Sequence, residues 1–210
     1  MAKSTLTTAQ VVEMLNLMAD RIIEAEPMLS EADRNLGDGD HGLGMKRGME
    51  AVQEKLAAGV DSIEKAFSTT GMAMMSSMGG ASGAIFGTFW RSGAKAITGC
   101  EAFDAQALAS LVKAGVEGVM TRGGAKPGDK TMVDALQPAA DKAAEVASLS
   151  LPEAIAAVAQ AAADGREASK AMIATMGRAK TLGEQSIGHP DAGACSVAVI
   201  FQAMSDYVQA

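Results

Sequence analysis

Apolar residues recur at helical spacing along almost the whole chain. Val11, Val12, Met14, Leu15, Met18, Ile22 and Ile23 form the first stripe, with Thr7 or Thr8 placed to cap its start. Leu43, Met45, Met49, Val52 and Leu56 predict a second helix from about Gly42 to Leu56. A third is expected over about Asp61–Ser76, a fourth over Ser82–Ala96 and a fifth over Asp104–Thr121. Asp129 is a candidate N-cap for a sixth, which turns Met132, Val133, Leu136, Ala139 and Ala140 inward. Pro152 marks the start of a seventh reaching about Met176, and the eighth runs from about Ala194 to Val208. No run of alternating β-branched residues predicts a sheet. The expected fold is therefore all-α, an eight-helix antiparallel up-and-down bundle formed by one domain over residues 1–210.

The connections between these helices fall into two kinds. Those near Gly59, Gly99 and Ser150 are short and chemically plain. Those at Asp33–His41, Ser76–Gly83, Thr121–Lys130 and Gly177–Gly193 are rich in Gly, Asp, Ser and basic residues. They are the first, third, fifth and seventh connections. In an up-and-down bundle all odd connections lie at one end, so topology gathers the four chemical loops at one rim.

Composition supports helices and narrows the function. Aromatics are only 3% of the chain, and Ala, Met and Leu are plentiful, which favours helix. A net charge of −7 argues against nucleic acid as a partner. Cys100 and Cys195 make no metal or disulfide pattern, and they suit a reducing, cytoplasmic setting. Lys3 is followed by polar residues with no apolar segment, so no secretory leader is expected. Residues 66–90 carry no charge, but Gly, Ser and Thr fill nearly half of them, which reads as two buried helices and a loop rather than a membrane span.

The first rich loop, Asp33-Arg34-Asn35-Leu36-Gly37-Asp38-Gly39-Asp40-His41-Gly42, brings three carboxylates within eight residues. Like charges so close call for a cation between them; oxygen-only ligands suit Mg²⁺ or Ca²⁺ rather than zinc, and few ligands from a short segment leave places for water and phosphate, as Mg²⁺ is usually held. Asp33, Asp38 and Asp40 are the candidate metal ligands. A helix cap would account for Asp40 but not for all three. The second loop, Ser76 to Gly83, places small residues before a helix whose N–H groups attract phosphate. The third, Arg122 to Thr131, resembles a Walker A loop, yet Asp129 intrudes before Lys130-Thr131 and no strand precedes it. In the long last loop, Arg178 can neutralise phosphate oxygens and Asp191 can accept from a sugar hydroxyl or ring nitrogen. His41 and His189 each sit in a rich loop, where either could act as a base.

The motifs GDGDHG, GGASG with IFGTF, AKPGDKTM and GRAKTLGEQSIGH, in this order, resemble the L-subunit family of dihydroxyacetone kinases. The resemblance implies an eight-helix barrel with ADP or ATP at one rim. It implies two Mg²⁺ ions on Asp33, Asp38 and Asp40, bridging the nucleotide phosphates. His41, Leu43 and Gly44, with Ala81 and Ser82, would line the phosphate and sugar. Gly123, Met132, Arg178, Asp191, Ala192 and Gly193 would enclose the rest. Gly44 departs from the Asn of many members, so any side-chain hydrogen bond made there is missing. The resemblance further implies phosphoryl transfer to a small ketose, dihydroxyacetone by default or erythrulose, held covalently on a separate K subunit. A phosphohistidine protein of the phosphotransferase system would recharge bound ADP in one branch, and free ATP would exchange in another. Two rivals remain: a nucleotide-state sensor docking on a transcription factor, and a metal-dependent phosphatase that needs no partner.

Overall fold

The computed structural model describes residues 2–210, and among these it contains nine α-helices. They are α1 (Thr8–Glu24), α2 (Glu26–Arg34), α3 (His41–Ala57), α4 (Ile63–Ser77), α5 (Gly80–Ala96), α6 (Ala105–Gly123), α7 (Val133–Glu145), α8 (Leu151–Ala168) and α9 (Ala192–Gln209). Each of α3 to α8 packs on the next in order, α8 packs on α9, and α9 and α3 both pack on α1. Eight helices thus close a ring, the expected all-α barrel. An isolated bridge between Leu6 and Phe103 is the β pairing among the described residues.

Helix α2 is an addition to the eight. It turns off α1 at Ala25, carries Pro at its start, and packs on α3 and α9 with Leu29, Ser30 and Ala32 buried. It makes the first connection a short helix plus a turn and leaves the parity of the ring unchanged. The last connection also differs from expectation. Helix α8 stops at Ala168 and gives way to 3₁₀ turns over Ser169–Ala171 and Ala179–Ser186, so the loop is longer than the Met176 boundary implied.

Aromatic side chains fill the ring. Phe67 stacks on Trp90 at 5.7 Å between centroids, and Phe89 meets Trp90 edge-on at 4.9 Å. All are buried together with Phe103 and Phe201. Burying such side chains, at about 25 cal/mol per Å² of apolar surface, is what holds the barrel together. Helices α4 and α5 approach closely, because Gly71 and Gly87 face one another: a Cβ on either would lie 2.7 Å from the other's carbonyl oxygen.

The two poles of the barrel differ in how their helices begin. At the plain pole every start carries a polar cap. Thr7 and Gln10 cap α1, Ser62 caps α4, Asp104 caps α6, and Ser150 pairs with Glu153 ahead of α8. At the rich pole α3, α5 and α7 begin without a side-chain cap bond, and only α9 is capped, by Asp191. At α7 the first N–H groups are already taken, Val133 by the Thr131 hydroxyl at 3.2 Å and Asp134 by the Thr131 carbonyl at 3.0 Å, so the starts of α3 and α5 are the ones that leave N–H groups to an anionic ligand.

Candidate functional site

A cleft of about 490 Å³ opens at the rich pole and draws lining residues from all four chemical loops. Three carboxylates stand at one edge. Asp33 lies in the last turn of α2, and Asp38 and Asp40 follow in a turn that Gly39 makes possible at φ 79°. One oxygen from each carboxylate lies within 4.8 Å of the others. Asp40 occupies the position before α3 but makes no cap bond, which leaves its oxygens for the cleft. Asp33 Oδ2 accepts from the His41 backbone N–H at 3.2 Å and is thereby aimed. Arg178, from the opposite loop, forms an ion pair with Asp38. A guanidinium at that carboxylate marks the cluster as a place where positive charge is wanted.

Next to the carboxylates, α5 presents its exposed start. Gly79 at φ 77° and Gly80 at φ 61° leave the first N–H groups without a side-chain partner, and Ala81 and Ser82 are exposed. His41 closes the inner side. Its Nε2 lies 2.8 Å from Ser196 Oγ and its ring 6.0 Å from Phe86. Burial holds the imidazole below its ordinary pKa, against the pull of Asp33. Deeper in, Ile85, Phe86, Val119, Met132 and Val133 make an apolar floor. One half of the cleft thus suits a polyphosphate with its cations, and the other a planar base.

The α6–α7 loop is built around Asp134 rather than Asp129. Asp134 accepts from Gly128 N–H at 2.6 Å and Thr131 N–H at 2.7 Å, bracing the turn ahead of α7. Asp129 is not the N-cap expected of it. It accepts from Lys126 N–H at 2.8 Å and from the Thr175 hydroxyl at 2.7 Å, which ties two loops and pulls its pKa down. The Walker-like lysine, Lys130, is buried. Asp191 caps α9 by accepting from Ala194 N–H at 2.8 Å. Burial, reinforced by Asp134 and opposed by Lys130, pushes its pKa up to about 7.

Of the residues singled out in the sequence, Asp33, Asp38, Asp40, His41, Gly44, Ala81, Ser82, Gly123, Met132, Arg178, Asp191, Ala192 and Gly193 all line this cleft. Leu43 is exposed and lies outside that lining. At Gly44 an added Cβ would meet the Met78 carbonyl at an ordinary 3.4 Å, so a side chain would fit there. Two charged lining residues lay outside the predicted set: Lys130, and Arg47, whose Nη2 donates to the Met78 carbonyl at 2.8 Å. Arg47 carried a signal, since it sits one turn beyond Gly44 on α3. His189 instead lends its backbone carbonyl to Lys130.

The DAK2 domain family matches residues 35–206. Across nearly its whole length the chain is 39% identical to the ADP-binding subunit DhaL of a PEP-dependent dihydroxyacetone kinase from Escherichia coli strain K12. That match covers 96% of this chain and 97% of the relative. The chain belongs to the DhaL family. A second such ADP-binding subunit, from Listeria innocua, is 40% identical over 90% of this chain and 91% of its own. An L-erythrulose 1-kinase from Mycolicibacterium smegmatis is 33% identical over 94% of this chain, but only 35% of the kinase is covered. Among solved structures, the dihydroxyacetone kinase from C. freundii in complex with AMP-PNP and Mg²⁺ superimposes with a TM-score of 0.74 at 25% identity. That match spans 96% of this chain and 34% of the kinase. This DhaL-family barrel has no helix among the described residues long and apolar enough to cross a membrane.

Proposed function

We propose that this chain, acting as a single domain, is the nucleotide-binding subunit of a cytoplasmic dihydroxyacetone-type kinase. One observation carries the reading: three carboxylates and an uncapped helix start share one edge of a cleft whose floor is apolar. Oxygen-only donors with open positions fit Mg²⁺, and Asp33, Asp38 and Asp40 would hold two ions. Bound there, Mg²⁺ supplies charge neutralisation along the polyphosphate. The protein's own residues do the positioning. The α5 N–H groups and Arg178 would receive phosphate oxygens, and His41, its imidazole held below its ordinary pKa by burial, would line the phosphate and sugar region. Gly123, Met132 and the Asp191–Gly193 turn enclose the remainder of the nucleotide. No side chain here is required as a base, because the carboxylates serve the metals.

The near full-length match to stand-alone ADP-binding subunits supports a division of labour in which a K subunit presents the ketose. Dihydroxyacetone is the acceptor favoured by those relatives, with erythrulose the acceptor named for others. A phosphohistidine protein recharging bound ADP is in keeping with the PEP-dependent relatives.

Calorimetry with ADP, with and without Mg²⁺, tests the site. Asp38→Ala and Asp40→Ala should abolish Mg²⁺-dependent binding while helicity by circular dichroism stays intact. Unchanged affinity would remove the reading. Mixing the charged subunit with a ketose-loaded K subunit tests the activity: absence of phosphorylated ketose would favour the nucleotide-sensor role instead.

A further inference from the structure

One buried lysine has no part in the chemistry above. Lys130 is 2% exposed, and it is the one residue other than glycine with positive φ, 59°, among those described. A left-handed backbone on a residue with a side chain is unfavourable, and so is a desolvated ammonium. The Nζ donates to the Ser169 carbonyl at 2.6 Å and to the His189 carbonyl at 2.7 Å. Those carbonyls stand at the two ends of the loop that joins α8 to α9, with Arg178 between them and Asp191 at the exit.

The neck of that loop is already closed without the lysine. Gly188 N–H donates to the Lys170 carbonyl at 2.7 Å, and Asp191 N–H donates to Ser169 Oγ at 3.0 Å. Closure of a compact loop needs no more than such neutral bonds. What the ammonium adds is an attachment between this neck and the other wall of the cleft, since Lys130 runs directly into Thr131, Met132 and Val133 of the lining. Asp129, one residue earlier, reinforces it by accepting from Thr175 on the same flap.

We propose that Lys130 is a positioning residue: its ammonium fixes the 170–190 flap to the α6–α7 wall so that Arg178 and Asp191 face the bound nucleotide. The assignment rests on the nucleotide reading. Lys130→Gly is the informative variant, because glycine accepts the left-handed backbone and leaves a gap open to the cleft. Its affinity for ADP with Mg²⁺ should fall roughly tenfold or more, the scale of losing charged hydrogen bonds. Hydrogen exchange on the nucleotide-free protein should show lost protection within 170–190 and none lost in α1, α4 or α6. Ethylammonium chloride should recover part of the affinity, and tetramethylammonium chloride at equal ionic strength should not. Lys130→Met, which keeps the stem and drops the charge, should repeat the loss without amine rescue. Unchanged ADP affinity in both variants would overturn the assignment alone, as would protection lost evenly over the barrel with no amine rescue. Wild-type protein that binds no ADP would overturn the nucleotide reading and this assignment together.

Discussion

His41 Nε2 lies 2.8 Å from Ser196 Oγ, joining the start of α3 to the second turn of α9 across the inner wall of the cleft. Ser196 Oγ donates in turn to the Ala192 carbonyl at 3.3 Å. With its own proton so committed, the hydroxyl accepts from Nε2–H, and Nδ1 is left as an acceptor. Ser196→Ala therefore strands a buried ring N–H. The expected loss is about 1–3 kcal/mol of stability, the usual penalty for an unpaired buried donor. Urea denaturation at pH 7.5, with nitrogen chemical shifts of the imidazole to report the tautomer, checks both consequences.

Arg178 and Asp38 form an ion pair between side chains that are 69% and 43% exposed. Such a pair adds little stability in water. Arg178→Met should leave the denaturation midpoint nearly unmoved. It should nonetheless weaken ADP binding roughly tenfold, since a charged hydrogen bond to phosphate contributes on that scale. Calorimetry beside thermal melts separates the two effects, and a melt that drops in step with affinity would refute the account.

Asp191 gives the fold a pH dependence of unusual sign for a carboxylate. Its pKa rises from 3.8 in the unfolded chain to about 7 in the folded one, so the native state holds the extra proton. At pH values below about 4 both states are protonated and the residue is neutral to stability. As pH climbs from about 4 to about 7 the unfolded chain ionises while the native state keeps its proton, and this group's contribution to stability falls. Asp191→Asn keeps a capping side chain and removes the titration. The variant should show a flatter rise or fall of denaturation midpoint across that range, and an identical slope in both proteins would contradict the assignment.

Gly42 is where α3 and α2 touch. An added Cβ would sit 2.4 Å from the Glu26 carbonyl and 2.4 Å from Ser30 Oγ. Gly42→Ala should destabilise the fold by at least about 1–3 kcal/mol, as overpacking does. Because Asp33 rides on α2 and Asp40 precedes α3, the same change should loosen Mg²⁺-dependent ADP binding. A variant with full stability would show that α2 yields freely.

The barrel was legible because its helices carry long apolar stripes, such as Val11 to Ile23, whose period survives any arrangement of neighbours. Helix α2 was not, because nine residues with Pro27 at the start and four charges show too short a period to stand out. The metal-ligand candidates were legible since Asp33, Asp38 and Asp40 are near in sequence as well as in space. Lys130 was not. Its burial is set by Ser169 and His189, 39 and 59 residues away, and a lysine in a glycine-rich loop reads naturally as a phosphate contact. Asp129 misled for a related reason: a carboxylate before a helix suggests a cap, yet Thr175 claims it from another loop.

Lys3 N–H donates to the Val208 carbonyl at 2.9 Å, so the segment before α1 and the end of α9 lie beside one another. Helix α9 starts at the cleft and runs away from it, which sets that meeting point at the pole of plain, side-chain-capped helix starts. Any tag, tether or neighbouring module attached at either end would hang on the far side from the loops that face ligand. A circularly permuted variant cut at Gly99, with its original ends linked, would add only a short bridge at that same pole and leave the ligand-facing surface uncut.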